Sequence, residues 1–204
     1  MTHPFDARPL VVALAGPNGA GKSTFYRAHL AEAGLRFVNA DDLSRELGLG
    51  PYEAAEMAKG LRRELVEQRE SFVFETVFSD PVGDKLSFLR DTAALGYVVV
   101  LCFIGLNSPG LSEERVAMRV AKGGHDVPSV KLRERYPRTL RNLAAAIPDL
   151  PHVLVYDNSD LGRPFREVAR YEQGQRLFAV EPLPRWLRPV RRPRRDERSE
   201  KPGR

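Results

Sequence analysis

A short apolar strand, a glycine-rich loop and a helix follow one another near the start of this chain, and that order constrains its fold more than any other feature. Leu10–Ala15 (LVVALA) is apolar and rich in β-branched residues, which predicts a buried strand. Gly16, Pro17, Asn18, Gly19, Ala20, Gly21, Lys22, Ser23 and Thr24 follow, matching G-x-x-x-x-G-K-[ST], and helical periodicity begins at Ser23. In that context the glycines let successive backbone N–H groups point inward as an anion nest. The N-terminus of the helix adds about half a positive charge. Lys22 would reach the β- and γ-phosphates of a nucleotide, and the Ser23 hydroxyl would ligate Mg²⁺. The sequence therefore predicts binding of ATP with Mg²⁺.

Further strand signals lie at 35–39, 71–77, 97–105 and 152–156, with a weak late one at 175–180. Helical patterns fall between them, at 41–47, 51–69, 84–95, 112–121 and 128–147, with a short one at 165–171. Strands alternating with helices predict an α/β fold: a three-layer P-loop NTPase resembling nucleotide kinases, built on a five-stranded, mostly parallel sheet. Such a sheet places its site at the carboxyl ends of its strands. The expected domain is 1–184, with a lid at about 111–138.

The net charge of +5 is unevenly spread. Residues 185–204 hold nine basic residues and three acids, a net +6 that leaves −1 for residues 1–184. The body therefore lacks the basic face of a nucleic-acid reader. The Pro/Arg-rich tail reads as a disordered extension that binds nucleic acid only weakly and without sequence preference. The longest apolar run, 97–106, falls short of the about 20 residues that a membrane span needs. A single cysteine, Cys102, precludes an intramolecular disulfide. No basic-then-apolar leader precedes the first strand, so the expected compartment is the cytoplasm.

The loop string GPNGAGKST also occurs in transporter ATPases, but the nearest match to their LSGGQ signature is Leu111-Ser-Glu-Glu. A GTPase would need an N-K-x-D motif, which is absent. Small-molecule kinases remain. Their chemistry needs an acid to take the acceptor's proton, and Asp41, just beyond the second strand, is the candidate; Asp42 suits a helix cap. Glu75, at the end of the third strand, could hold a Mg²⁺-bound water or a substrate hydroxyl. Arg115 and Arg119, four apart on one helix, share a face and precede Gly123-Gly124, as a closing lid requires. Arginines there would stabilise the transferred phosphoryl group. Thr76, His125 and Arg135 join Glu75 as candidate substrate contacts, and Asn158, after the fifth strand, is placed to meet the adenine.

Together these strings resemble the zeta-toxin family of P-loop kinases, particularly its short stand-alone bacterial members. The carrying strings are GPNGAGKST (16–24), NADD (39–42), FVFET (72–76), ERVAMRVAKGGHDVP (114–128), RERYPRTLRNL (133–143) and YDNS (156–159). The resemblance implies an ATP-dependent kinase acting on a hydroxyl of a small molecule. The family's best-known toxins use the 3′-hydroxyl of UDP-N-acetylglucosamine, and such toxins have a protein antitoxin as partner. By position, Lys22 would bind phosphate, Asp41 would be the general base, Arg115 a transition-state arginine, and Glu75 would lie beside the substrate. The founding toxins have an acid where this chain has Asn39, and a glycine where it has Thr76. Two other functions compatible with the loop are a nucleic-acid end kinase whose basic tail grips the strand, and a non-catalytic ATP-binding switch acting through a protein partner.

Overall fold

The structure is a computed structural model that describes residues 4–121, 123 and 127–190. In chain order it contains β1 (Leu10–Ala15), α1 (Lys22–His29), β2 (Arg36–Val38), α2 (Ala40–Leu47), α3 (Pro51–Glu67), β3 (Phe72–Thr76) and α4 (Asp84–Ala94). Then come β4 (Val98–Gly105), α5 (Pro109–Val120), α6 (Ser129–Asp149), β5 (His152–Asp157), β6 (Arg166–Glu172) and β7 (Gln175–Ala179). One sheet runs β2-β3-β1-β4-β5-β6-β7. The first five strands are mutually parallel, and β6 and β7 are antiparallel additions at one edge.

Every residue of β1 is buried, because parallel strands in the middle of such a sheet are covered on both faces. Val11, Ala13 and Ala15 face one core with Phe72, Phe74, Leu101 and Leu143. Leu10, Val12 and Leu14 face a second core with Phe25, Val100, Ile104 and Tyr136. That alternation is the pleat itself, and it yields the expected three layers. No helix among the described residues is long and apolar enough to cross a membrane.

Seven strands stand where five were expected. The segment 165–171 forms β6 instead of a helix. It pairs with β5, turns through Gln173 and Gly174, both at positive φ, and returns as β7. A two-residue turn of this kind matches the twist of a hairpin.

The folded body also continues past residue 184. Trp186, Leu187 and Val190 are buried in the first core, so the basic tail begins beyond this strap. Residues 191–204 lie outside the described residues. Gly105, the last residue of β4, makes room for the Trp186 ring: a Cβ built there would lie 2.2 Å from two ring carbons. Gly105→Ala is therefore expected to cost about 1–3 kcal/mol through overpacking, read as a fall of several degrees in Tm by calorimetry. An unchanged Tm would mean that the strap does not pack here.

Candidate active site

The loop after β1 turns on Gly16, at φ 144°. A Cβ at Gly16 would sit 2.1 Å from the Ile104 carbonyl oxygen, so only glycine fits this close crossing of β4. The loop ends at Gly21, which has no side chain to cap the first-turn N–H groups of α1. Those groups remain available to an anion.

Two distant segments hold the loop from outside. Ser112 on α5 donates to the Asn18 carbonyl at 2.6 Å. Asn158, just past β5, donates from its amide nitrogen to the Ala20 carbonyl at 2.8 Å and accepts from the Phe165 N–H at 3.3 Å. The amide expected at the adenine is thus buried and committed to bracing the loop backbone.

Lys22 opens α1. Its side chain is drawn inward and is 6% exposed, although a lysine that reaches for phosphate is expected to stand exposed. It donates to the carbonyls of Gly16 and Pro17, both at 3.1 Å, and lies 3.6 Å from a Glu75 carboxylate oxygen. Burial pulls its pKa below the ordinary lysine value; the carboxylates of Glu75 and Asp41 oppose this, and the Arg119 guanidinium adds to it. All four charges therefore act within one local field.

Glu75, at the carboxyl end of β3, is the hub. Its other oxygen accepts from the Ser23 hydroxyl at 2.7 Å and from the Asn39 amide at 3.2 Å. Asn39 also caps α2, accepting from the Asp41 N–H at 2.8 Å. An acid in place of Asn39 would bring a second carboxylate against Glu75, whereas the amide supplies a donor. The sequence marks Asn39 only as a departure from the founding toxins and gives it no site role, although an asparagine directly before a helix is a capping signal.

Asp41 and Asp42 both occupy the first turn of α2. Asp41 is exposed, and Asp42 is paired with Arg45 on the helix surface. The Thr76 hydroxyl accepts from the Phe78 N–H at 3.0 Å, supporting a turn in which Phe78 has φ 58°.

Arg115 is half-buried and donates to the Ser159 carbonyl at 3.3 Å. Burial lowers its pKa, and the Asp157 charge opposes that. Arg119 stands one turn further along, exposed, with its charge reaching Lys22. Both ends of the expected lid are anchored: Ser112 and Val116 of α5, and Leu132 and Tyr136 of α6, are buried. Arg133 of α6 forms a two-pronged pair with Glu113 of α5, at 2.7 and 3.1 Å. Arg135 is half-buried on α6 and makes no ion pair among the described residues. His125 lies outside the described residues.

The donor set suits Mg²⁺. Ser23 and Glu75 present a hydroxyl and a carboxylate 2.7 Å apart, all oxygen, and this ion is usually held by one or two protein oxygens plus phosphates and waters. No cluster of three or more His, Cys, Asp or Glu that could cage a metal occurs among the described residues.

A family model described as zeta toxin matches residues 1–167. An uncharacterized protein of Haemophilus influenzae is 26% identical over 126 residues, covering 59% of this chain and 88% of its own length. The crystal structure of AvrRxo1-ORF1:-ORF2 with ATP superposes with a TM-score of 0.61 at 20% identity, over 86% of this chain and 61% of that one. This chain thus spans about three fifths of the AvrRxo1 chain it matches. A structure from the PezAT chromosomal toxin-antitoxin system of Streptococcus pneumoniae gives a TM-score of 0.50 at 19% identity, over 74% of this chain and 68% of that one. At these identities the likeness is one of fold.

Proposed function

The chain belongs to the zeta-toxin family of P-loop kinases, and from that premise we propose that it transfers the γ-phosphate of ATP to a hydroxyl of a small molecule, a nucleotide-sugar such as UDP-N-acetylglucosamine. The observation that carries the reading is the meeting of Lys22, Ser23 and Asn39 on Glu75, beside the charges of Asp41 and Arg119.

In this reading the loop N–H groups and Lys22 grip the phosphates. Ser23 and Glu75 would hold Mg²⁺, which supplies charge neutralisation at the β- and γ-phosphates. Asp41 accepts the proton of the acceptor hydroxyl as its oxygen attacks phosphorus. Arg115 and Arg119 stabilise the charge spread over the transferred group. Asp41 is suited to this role because it is exposed at the mouth of the site yet acts on Lys22. The likeness to the PezAT system supports a protein antitoxin as a candidate partner.

The test is to incubate the full chain with γ-labelled ATP and a metabolite extract, then identify the labelled product. A labelled nucleotide-sugar is expected. Label on nucleic-acid ends, or ATP binding without any transfer, would overturn the proposal in favour of an end kinase or a switch.

Asp41→Asn is expected to lower kcat on the order of 10²-fold with ATP affinity nearly unchanged. Asp42→Asn should have little effect, since Asp42 faces Arg45. Steady-state kinetics of both variants check the assignment, and the opposite ranking would move the base by one residue.

A further inference from the structure

Helix α3 carries an arginine where its burial pattern calls for an apolar side chain. The inward residues are Ala54, Ala58, Arg62 and Leu65, at helical spacing. Arg62 is 7% exposed. Its guanidinium lies over the rings of Phe74 and Phe88, 5.0 and 5.7 Å from their centroids. Those rings favour a cation but do not satisfy its N–H groups. Nε is buried without a hydrogen-bond partner. Burial, with the charge of neighbouring Arg63, brings the pKa down to about 10 against the pull of Glu56. A buried guanidinium in this condition is costly unless something meets it. A local conflict between residue type and position of this kind is a mark of functional sites.

Arg62 opens onto a cleft of about 200 Å³ between α3 and α4. Lys59, Arg63 and Lys85 line it too, with Asp84 and Asp91 as the acids. Asp84 is engaged by Lys59 at 3.8 Å. Four cations thus converge from two helices against two carboxylates. None of the loop residues that would grip ATP lines the cleft.

We propose that this cleft is a second anion site, taking the phosphate group of a small molecule, with Arg62 as the fork and Lys59, Arg63 and Lys85 as the surrounding charge. A carboxylate would be matched by the arginine fork alone. The surplus of two positive charges matches a doubly charged phosphate. The cleft is smaller than the roughly 300–1,000 Å³ of a whole small-molecule site, so it holds a head group while the rest of the ligand lies in solvent. The inference does not depend on the kinase reading, since it concerns binding without ATP or acceptor.

The test is calorimetric titration of inorganic phosphate and of a phosphate monoester, glycerol 3-phosphate, into full-length protein carrying Lys22→Ala, which weakens the competing site at the loop. One binding event is expected, weakened about ten-fold or more by Arg63→Ala with Lys85→Ala. Tighter binding of the monoester assigns the phosphate to a metabolite, and equal affinity assigns it to the free ion; either supports the site. Arg62→Met keeps the stem on the two rings and should preserve Tm while abolishing the binding. Absence of binding to the Lys22→Ala protein, or binding indifferent to the Arg63→Ala/Lys85→Ala pair and to Arg62→Met, would overturn the proposal.

Discussion

Lys22→Ala is expected to lower kcat/KM for ATP by about 10³-fold or more and to leave the protein folded. The ammonium is the cation at the centre of the loop, held by two carbonyls and facing Glu75. Alanine would remove the loop's own cation from the β- and γ-phosphates and leave the Glu75 carboxylate without its Lys22 countercharge. Folding should survive, because the ammonium pays a desolvation penalty that depresses its pKa and that alanine does not carry. The measurement is an ATP titration with turnover assays, alongside a thermal melt. ATP affinity and turnover equal to those of the unaltered protein would mean that the loop does not serve as a phosphate site.

Much of this centre is legible in the sequence because the chemistry is local. The loop, Lys22 and Ser23 lie within one strand–turn–helix unit; Glu75 lies at the carboxyl end of β3, which pairs with β1, and Asp41 opens α2 just after β2, the next parallel strand out. What stays hidden depends on long-range packing. Asn158 reads as a residue near the base, yet it bonds a carbonyl 138 positions earlier. The burial of Lys22 follows from Glu75 arriving on β3, which no spacing within the loop reveals. The segment 165–171 is short, and its apolar residues fit either period; pairing with β5 decides for a strand, and Gln173-Gly174 is the turn signal that could have said so. Arg62 falls at the inward position of α3, but sequence periodicity over 51–69 suggests the stripe Ala55, Ala58, Leu61, Leu65 and Val66 instead. The true stripe passes through Ala54 and Arg62, a rotation of the helix set by its docking on Phe74 and Phe88.

Arg119→Ala is expected to reduce kcat by about 10³-fold, with ATP affinity changed far less. The geometry separates its role from that of Arg115. Arg115 spends part of its guanidinium on the Ser159 carbonyl, and its own Cβ lies against Gly19, where an added Cβ would come within 3.0 Å. It therefore supports the loop, beyond the transition-state role proposed for it. Arg119, one turn on and exposed, projects its charge onto Lys22. Charge on the transferred phosphoryl group redistributes in the transition state, and a cation acting there raises kcat more than it tightens ground-state binding. Arg115→Ala should accordingly lower kcat by about 10²-fold and also weaken ATP binding, while Arg119→Ala should fall almost wholly on kcat. Lysine should restore little at Arg119, because a point charge does not replace the planar fork. Steady-state kinetics and ATP titrations of the three variants test this, and near-normal turnover in both alanine variants would remove α5 from the catalytic machinery.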